Sequence, residues 1–159
     1  MHPQSNAQTP SITDLAWAAG FIDGEGCIRL ARYLQRRSRN QKAGPGYHIC
    51  LLAVNRNIDA LRLLQSMFGG TIRKKVVAKG YNQTWQWECW SSTAYNAMRL
   101  LRPFFVIKHP HADLVFEFQE RAVRKINLGR VPLTETEVSL RDSYWRKLKT
   151  LNGRGARIP

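Results

Sequence analysis

Two carboxylates one residue apart are the most chemically informative feature of this chain. Asp23 and Glu25 alternate with Gly24 and Gly26 directly after an apolar stretch. The C-terminal end of a helix already carries partial negative charge from unpaired carbonyl groups, so acids placed there require a compensating cation. Carboxylate and carbonyl oxygens that converge at a helix end suit a hard divalent ion such as Mg²⁺. A solvated turn is the alternative interpretation of the same four residues, and their spacing alone leaves both open.

The helix that must position these acids is predicted over residues 12–22. Ser11 and Asp14 have the spacing of a capping box at its start, and Gly24 and Gly26 end it. The helix carries small residues at helical spacing, which allow another helix to approach backbone to backbone: Ala16, Ala19 and Gly20.

After Gly26 the hydrophobic period changes to two, which predicts a half-buried strand. One row of this strand is apolar and is interrupted by Arg32: Ile28, Leu30 and Leu34. The opposite row is mostly polar and cationic: Arg29, Ala31, Tyr33, Gln35 and Arg37.

The remaining elements follow from periodicity and from turn and cap residues. In chain order they are a strand at 47–55, a helix at 58–68, strands at 71–77 and 83–91, and helices at 95–101, 110–126 and 134–151. This order predicts an α+β fold, with one four-stranded antiparallel sheet and the helices on one face. We predict a flexible lead-in over 1–10, a single domain over 11–151 and a basic flexible tail over 152–159.

Composition points to a nucleic-acid partner. The 159 residues include 25 Lys and Arg against 11 Asp and Glu, so the formal net charge is +14. No apolar run is long enough to cross a membrane, and residues 1–10 lack the apolar core of a secretory signal. The widely spaced Cys27, Cys50 and Cys89 indicate neither structural zinc nor a disulfide framework. We therefore expect an intracellular protein in a reducing compartment, with an organellar, bacterial or phage origin left open.

Two stretches resemble one family. Residues 18–26 read AAGFIDGEG and resemble the signature of the LAGLIDADG homing endonucleases, with Ala18 in place of the first leucine and Glu25 in place of the last aspartate. Residues 101–112 read LRPFFVIKHPHA and resemble that family's L-x-P-[FY]-hydrophobic-x-x-K-x-x-Q-A stretch, with His111 at the glutamine position. The predicted order of elements also agrees, so the resemblance covers about residues 12–126.

The resemblance implies an αββαββα fold whose curved sheet forms a DNA-binding saddle, here with extra C-terminal helices. It implies a site-specific endonuclease that hydrolyses one phosphodiester per strand of double-stranded DNA, typically encoded in an intron. The signature occurs once, which implies a homodimer and a long pseudo-palindromic target. The expected dimer interface lies on the first helix: Leu15, Ala16, Ala19 and Gly20.

The family's functional residues carry over to matching positions. Glu25 corresponds to the essential metal ligand, the carbonyl of Gly24 to a second ligand, and Asp23 to an acid that more often supports the helix end than binds metal. The expected metal is Mg²⁺, with Mn²⁺ or Ca²⁺ able to occupy the same sites. Lys108 matches the catalytic lysine. A weaker correspondence, at the place of a water-positioning polar residue, involves Asn55 and Arg56.

Basic residues on the strands and their loops are expected to contact DNA. Arg and Gln side chains have the donors that read guanine and adenine edges. The expected base-reading row comprises Arg29, Tyr33, Gln35, Arg37, Arg73 and Lys75, and the expected loop and flanking contacts are Arg36, Arg39, Lys42, Lys74 and Lys79. The second and fourth strands are apolar, or mixed, on both rows, so their facing stays open.

Other functions are compatible with the same sequence features. A protein with this fold can act as a splicing cofactor for intron RNA, alone or together with cleavage, or as a DNA-binding regulator. A basic RNA-binding domain of another class lacks its usual motifs here. His109 and His111 invite a zinc interpretation, but no second His or Cys pair has ligand spacing.

Overall fold

The computed structural model describes residues 9–35, 43–126 and 131–153. Within these ranges the helices are α1 (Ile12–Glu25), α2 (Ile58–Phe68), α3 (Ser91–Leu101), α4 (His109–Arg121) and α5 (Glu135–Leu151). The strands are β1 (Gly26–Gln35), β2 (Gly44–Asn55), β3 (Thr71–Lys75) and β4 (Thr84–Trp90), and one 3-10 turn spans Arg102–Phe104. None of the described helices is long and apolar enough to span a membrane.

The four strands form one antiparallel sheet in the order β1-β2-β4-β3. All five helices contribute side chains to one core cluster, which lies on a single face of this sheet. The predicted α+β fold, with one four-stranded sheet and helices on one face, is therefore confirmed.

The strand register decides the facing that the sequence left open. Residues directly opposite in an antiparallel pair share a face. Ile49 and Leu51 of β2 pair with Leu30 and Ile28 of β1, and all four are buried in the core. On β4, the inner row contains Trp87, which is completely buried. The outer row, away from the helices, comprises Cys50 and Leu52 on β2 and Gln86, Glu88 and Trp90 on β4.

Two capping boxes predicted from sequence are confirmed. Ser11 and Asp14 exchange side-chain and backbone hydrogen bonds at the start of α1. Thr134 and Glu137 do the same at α5. The Arg124 guanidinium, and then the backbone N–H of Thr134, lower the pKa of Glu137 to about 2.

Several boundaries differ from those predicted. Helix α1 continues through Glu25, so the two acids lie in its last turn rather than beyond it. Helix α3 begins at Ser91 rather than 95, because Ser91 adopts a φ of +52° and turns β4 directly into the helix. Strand β2 begins at Gly44 rather than at 47. Gly46 permits this longer strand, because the Tyr33 ring occupies the space that a Cβ on residue 46 would need.

The inner row of β1 ends earlier than predicted. Leu34 is 66% exposed, so its assignment to the buried row was wrong. Arg32, which interrupts that row, forms a 2.8 Å ion pair with Asp142 of α5. The Tyr47 hydroxyl donates to the same carboxylate oxygen. The break in the apolar pattern therefore marks the point where α5 meets the sheet.

Helix α5 covers the edge strand β1. Its side chain Leu148 is buried, and Tyr144 packs edge to face on Phe118 of α4. Asn152, which the sequence placed in the tail, donates from Nδ2 to the carbonyl of Ile28 at 2.9 Å. An exposed sheet edge invites pairing with another chain, and this helix shields it.

This packing makes a prediction with an internal control. Leu148→Ala should lower the free energy of unfolding by about 2–5 kcal/mol, because it leaves a cavity under α5. Leu140→Ala, on the same helix but 40% exposed, should change it by no more than about 0.5 kcal/mol. Denaturant unfolding measures both values. Equal effects would show that α5 is not packed as described.

Candidate functional site

A shallow cavity lies where α1 ends, and we call it the α1 cavity. It has a volume of about 500 Å³ and is lined by Gly24, Glu25, Gly26, Val54, Asn55, Arg56 and Thr84. Four residues selected from the sequence therefore come together: Glu25, Gly24, Asn55 and Arg56. Val54 and Thr84 were not predicted, and they belong to the outer row of the sheet, so the cavity opens onto that face.

No loop separates α1 from β1 at the edge of this cavity. Gly26 ends α1, donating its N–H to Ile22, and also begins β1. Strand β2 runs antiparallel past Gly26 and ends at Asn55, which brings Asn55 beside the end of α1. Asn55 Oδ1 accepts the N–H of Asn57 at 2.8 Å, which fixes the turn into α2.

Glu25 is exposed in the last turn of α1, and its carboxylate faces no salt-bridge partner among the described residues. Gly24 is exposed too, and a Cβ there would meet no atom within 4 Å. The last carbonyl groups of a helix have no partner within it. The helix end therefore presents one free carboxylate and unpaired carbonyl oxygens to the cavity.

Asp23 has a different environment. Its side chain is buried, and its two oxygens accept backbone N–H groups from Val106, Ile107 and Lys108 at 2.8, 3.2 and 2.8 Å. A carboxylate engaged in this way has little capacity left for a metal ion. The assignment of Asp23 as a metal ligand is therefore corrected to a positioning role. The supporting role at the helix end, which the family resemblance also implied for Asp23, agrees with this arrangement.

Lys108 depends on Asp23 for its position. It stands at the N-cap of α4, and its N–H is one of the three that Asp23 holds. Asp23 is two residues from Glu25, so one carboxylate ties the predicted catalytic lysine to the helix end that carries the predicted metal ligand. The side chain of Lys108 does not line the α1 cavity in this single chain.

His111 lies in the core rather than in a metal site. It is buried, and burial, followed by the charge of Lys108, lowers its pKa. Among residues 9–35, 43–126 and 131–153, no three His, Cys, Asp or Glu side chains are grouped so as to hold a metal ion. The zinc interpretation of His109 and His111 finds no support there.

One face of α1 is open. Ala16 and Gly20 are exposed and stand four residues apart, with Gly24 four further on, and a Cβ on Gly20 would meet nothing within 4 Å. Leu15 and Ala19 were also predicted for a dimer interface, but both are buried in the chain's own core. That part of the prediction is corrected, because helical spacing alone does not say which side a small residue faces.

The outer face of the sheet carries most of the predicted DNA-contacting residues that the structure describes. The alternation and register place there Arg29, Tyr33, Gln35, Arg73 and Lys75. Lys74 pairs with Trp85, which places it on the helix side of the edge strand, so it does not share the outer face with Arg73 and Lys75. Lys79 is exposed in the turn between β3 and β4. Four further predictions lie outside the described residues: Arg36, Arg37, Arg39 and Lys42.

The outer face also contains residues that the sequence did not single out. The His48 ring stacks on Tyr33, with centroids 4.7 Å apart, and its Nδ1 lies 3.0 Å from Ser91 Oγ. The Arg29 guanidinium lies 5.5 Å from the centroid of the Trp90 ring. The β1–β2 register is needed to find the first pair and the β2–β4 register as well to find the second, and period-two patterning supplies neither.

Comparison with known proteins supports the architecture. No family model matches the chain, and no curated protein matches it. Among solved structures, the homing endonuclease I-CvuI in complex with its target has 20% identity and a TM-score of 0.67, with 89% of this chain and 85% of that chain covered. The archaeal intron-encoded homing endonuclease I-Vdi141I, complexed with DNA, has 15% identity and a TM-score of 0.64, with 92% and 89% covered.

A third similar structure differs in length. The LAGLIDADG homing endonuclease I-SmaMI, bound to cleaved DNA, has 17% identity and a TM-score of 0.62, with 95% of this chain but 51% of that chain covered. This chain thus matches about half of that protein. At these identities the likeness is one of architecture, in which the order of helices and strands and the curved sheet agree. The chain therefore has the LAGLIDADG homing endonuclease fold.

Proposed function

We propose that this chain is a site-specific endonuclease of double-stranded DNA that acts as a homodimer. The observation that carries the proposal is the exposed Glu25 carboxylate beside the Gly24 carbonyl, in a cavity that opens onto a basic sheet face. A purely structural role does not explain an acid at this exposed position, because Asp23 already secures the helix end. The likeness to endonucleases solved with DNA supports the same activity.

The donor set of the α1 cavity fits a divalent metal. A free carboxylate and an unpaired main-chain carbonyl are hard oxygen ligands, and the negative end of the α1 dipole adds to the attraction for a cation. Glu25 and Gly24 would hold Mg²⁺, or Mn²⁺ or Ca²⁺ in its place. When bound, such an ion lowers the pKa of water and neutralises charge on a phosphate.

The chain's own residues account for the rest of the reaction. Cleavage adds water across the bond between phosphorus and the 3′ oxygen: the water oxygen bonds to phosphorus and gives up a proton to solvent, and the 3′ oxygen takes up a proton from solvent and leaves as a hydroxyl group. The Asn55 amide and the Arg56 guanidinium line the cavity, where they can orient that water and the phosphate. Asp23 holds the backbone of Lys108 close to α1, and the lysine ammonium stabilises charge on the phosphate oxygens in the transition state.

Homodimer formation follows from the open face of α1. Between its two polar ends, this helix carries small and apolar residues on its exposed face as well as on its buried face. In one chain Ala16 and Gly20 remain exposed, and small residues let two helix backbones approach closely. Two copies of α1 packed on this face bring two Glu25 carboxylates together, one for each DNA strand.

DNA binding rests on charge and on the outer face. The net charge of +14 per chain predicts an affinity for DNA that falls steeply with salt, because counterions bound to the DNA are released on binding.

We also propose a reducing compartment inside the cell. Cys27, Cys50 and Cys89 are free thiols, and burial raises the pKa of Cys50 to about 11 and that of Cys89 to about 12.

Substitution of Lys108 separates catalysis from binding. Lys108→Met should slow cleavage by about 10²–10³-fold, the size of effect expected for one preorganised charge in a reacting site. Affinity for the target should change little, because the outer-face cations remain. Lys147→Met on α5 removes the same charge from an exposed position and should leave cleavage unchanged. Single-turnover cleavage and equilibrium binding give both values, and a large affinity loss with normal cleavage would refute this role.

Selection by binding tests the proposed partner. A duplex library with a randomised central region is incubated with the protein and Ca²⁺, and the retained duplexes are sequenced. We expect enrichment of one long site with approximate two-fold symmetry. No enrichment would move the function to the splicing-cofactor alternative, which a binding measurement with a structured intron RNA then tests.

A further inference from the structure

A buried acid lies in the middle of the outer face. Among the described strand residues on that face, Glu88 is the one acidic side chain, and it is 7% exposed. Its Oε2 accepts Gln86 Nε2 at 2.7 Å and Arg73 Nη2 at 3.2 Å. We call these three residues the Glu88 cluster.

The cluster is an unusual arrangement for a surface that binds a polyanion. A carboxylate removed from water is costly unless it is paired and hydrogen-bonded, and a negative charge here also repels phosphates. Gln86, itself 9% exposed, orients the carboxylate, while the Arg73 side chain remains 61% exposed. The acid therefore holds one end of an arginine whose side chain is otherwise largely exposed.

Holding an arginine in this way changes what it can recognise. A free arginine on a basic face can turn to whichever phosphate is nearest and then reads no sequence. An arginine fixed by a carboxylate keeps its planar fork in one direction, and the nearby negative charge disfavours a phosphate at that position. The fork matches the O6 and N7 acceptors of guanine in the major groove.

We infer that Glu88 is a specificity-determining residue, which directs Arg73 to a guanine edge and away from the DNA backbone. Glu88 acts as a positioning residue and does not itself contact the base. The inference rests on the proposed DNA-binding function and adds to it one guanine contact per half-site, located where β3 and β4 meet on the outer face.

Charge-neutral, isosteric substitution provides the test. Glu88→Gln should reduce the preference for guanine at one position per half-site about tenfold, which lies within the range that one bidentate contact supplies. Other positions should keep their preferences, and binding to a scrambled duplex should become several-fold tighter, because a repulsive charge is lost. Glu120→Gln makes the same charge change on an exposed side chain of α4 and should leave every base preference unchanged.

A second variant shows whether Glu88 acts through the arginine. Arg73→Lys keeps the charge but removes the fork, so it should weaken the preference at the same position, and adding Glu88→Gln should then cause no further loss. Thermal unfolding of each variant shows whether that variant is folded. If Glu88→Gln does not fold, Glu88→Asp takes its place: it keeps the charge but shortens the reach to Arg73, so it should weaken the preference at the same position, and an unchanged profile would overturn the inference.

The outcomes separate two failures. If the wild-type protein enriches one site and Glu88→Gln changes the preference at no position, whatever Arg73→Lys does, the inference is wrong and the proposed function stands. The inference also fails if the change in Glu88→Gln is spread evenly over all positions. If the wild-type protein enriches no duplex sequence, the proposed function fails, and this inference fails with it.

Discussion

Glu25→Gln should reduce DNA cleavage by at least about 10³-fold while leaving affinity for the target duplex within about threefold. Glutamine preserves the size and shape of the side chain but removes the charge that attracts a divalent cation. Glu25 is exposed and forms no salt bridge with any described residue, so its loss should not weaken folding. Single-turnover cleavage in Mg²⁺ and equilibrium binding in Ca²⁺ measure the two effects.

The control for this variant is Glu120→Gln, which makes the same charge change on the exposed face of α4 and should cleave normally. Equal loss in both variants would indicate a general electrostatic effect. Full cleavage by Glu25→Gln would remove Glu25 from the reaction, and with it the observation on which the proposed function rests.

Gly20→Leu should abolish dimer formation and site-specific cleavage without unfolding the chain. A side chain at this position meets open space within one chain, and leucine favours a helix over glycine by about 0.8 kcal/mol. The monomer should therefore be as stable as the wild type or more so. Between two α1 helices, however, the added side chain holds the backbones apart, and we expect dimer affinity to fall by about 100-fold or more.

Graded substitution distinguishes this steric effect from others. Gly20→Ala adds one methyl group and should weaken the dimer far less than leucine does. Sedimentation velocity gives the oligomeric state, and cleavage of the selected duplex gives the activity. A Gly20→Leu protein that remains dimeric and active would show that this face of α1 is not the interface.

Features that depend on neighbours in sequence were predictable. The capping boxes of α1 and α5 need only a hydroxyl and an acid three residues apart, and both are present in the structure. The outer row of β1 follows from alternation alone, which correctly placed Arg29 and Tyr33 on the face away from the helices. The grouping of Glu25 with Asn55 followed from the family resemblance and not from local pattern.

Features that depend on distant partners were not predictable from local patterns. Strand β2 is apolar on both rows, so only its register against β1 shows that Leu51 is buried and Cys50 lies on the outer row. The role of Asp23 is set by N–H groups more than 80 residues away in sequence. Arg32 interrupts an apolar row because its guanidinium forms an ion pair with Asp142 of α5, which is distant in sequence.

The most direct measurement is to map the DNA ends that the wild-type protein makes. The purified protein is incubated with a randomised duplex library and Mg²⁺, and the new ends on both strands are sequenced. We expect one long, nearly palindromic site with a cut in each strand, placed symmetrically about its centre. Salt-sensitive binding to DNA without any cleavage, or cuts scattered without sequence preference, would contradict it.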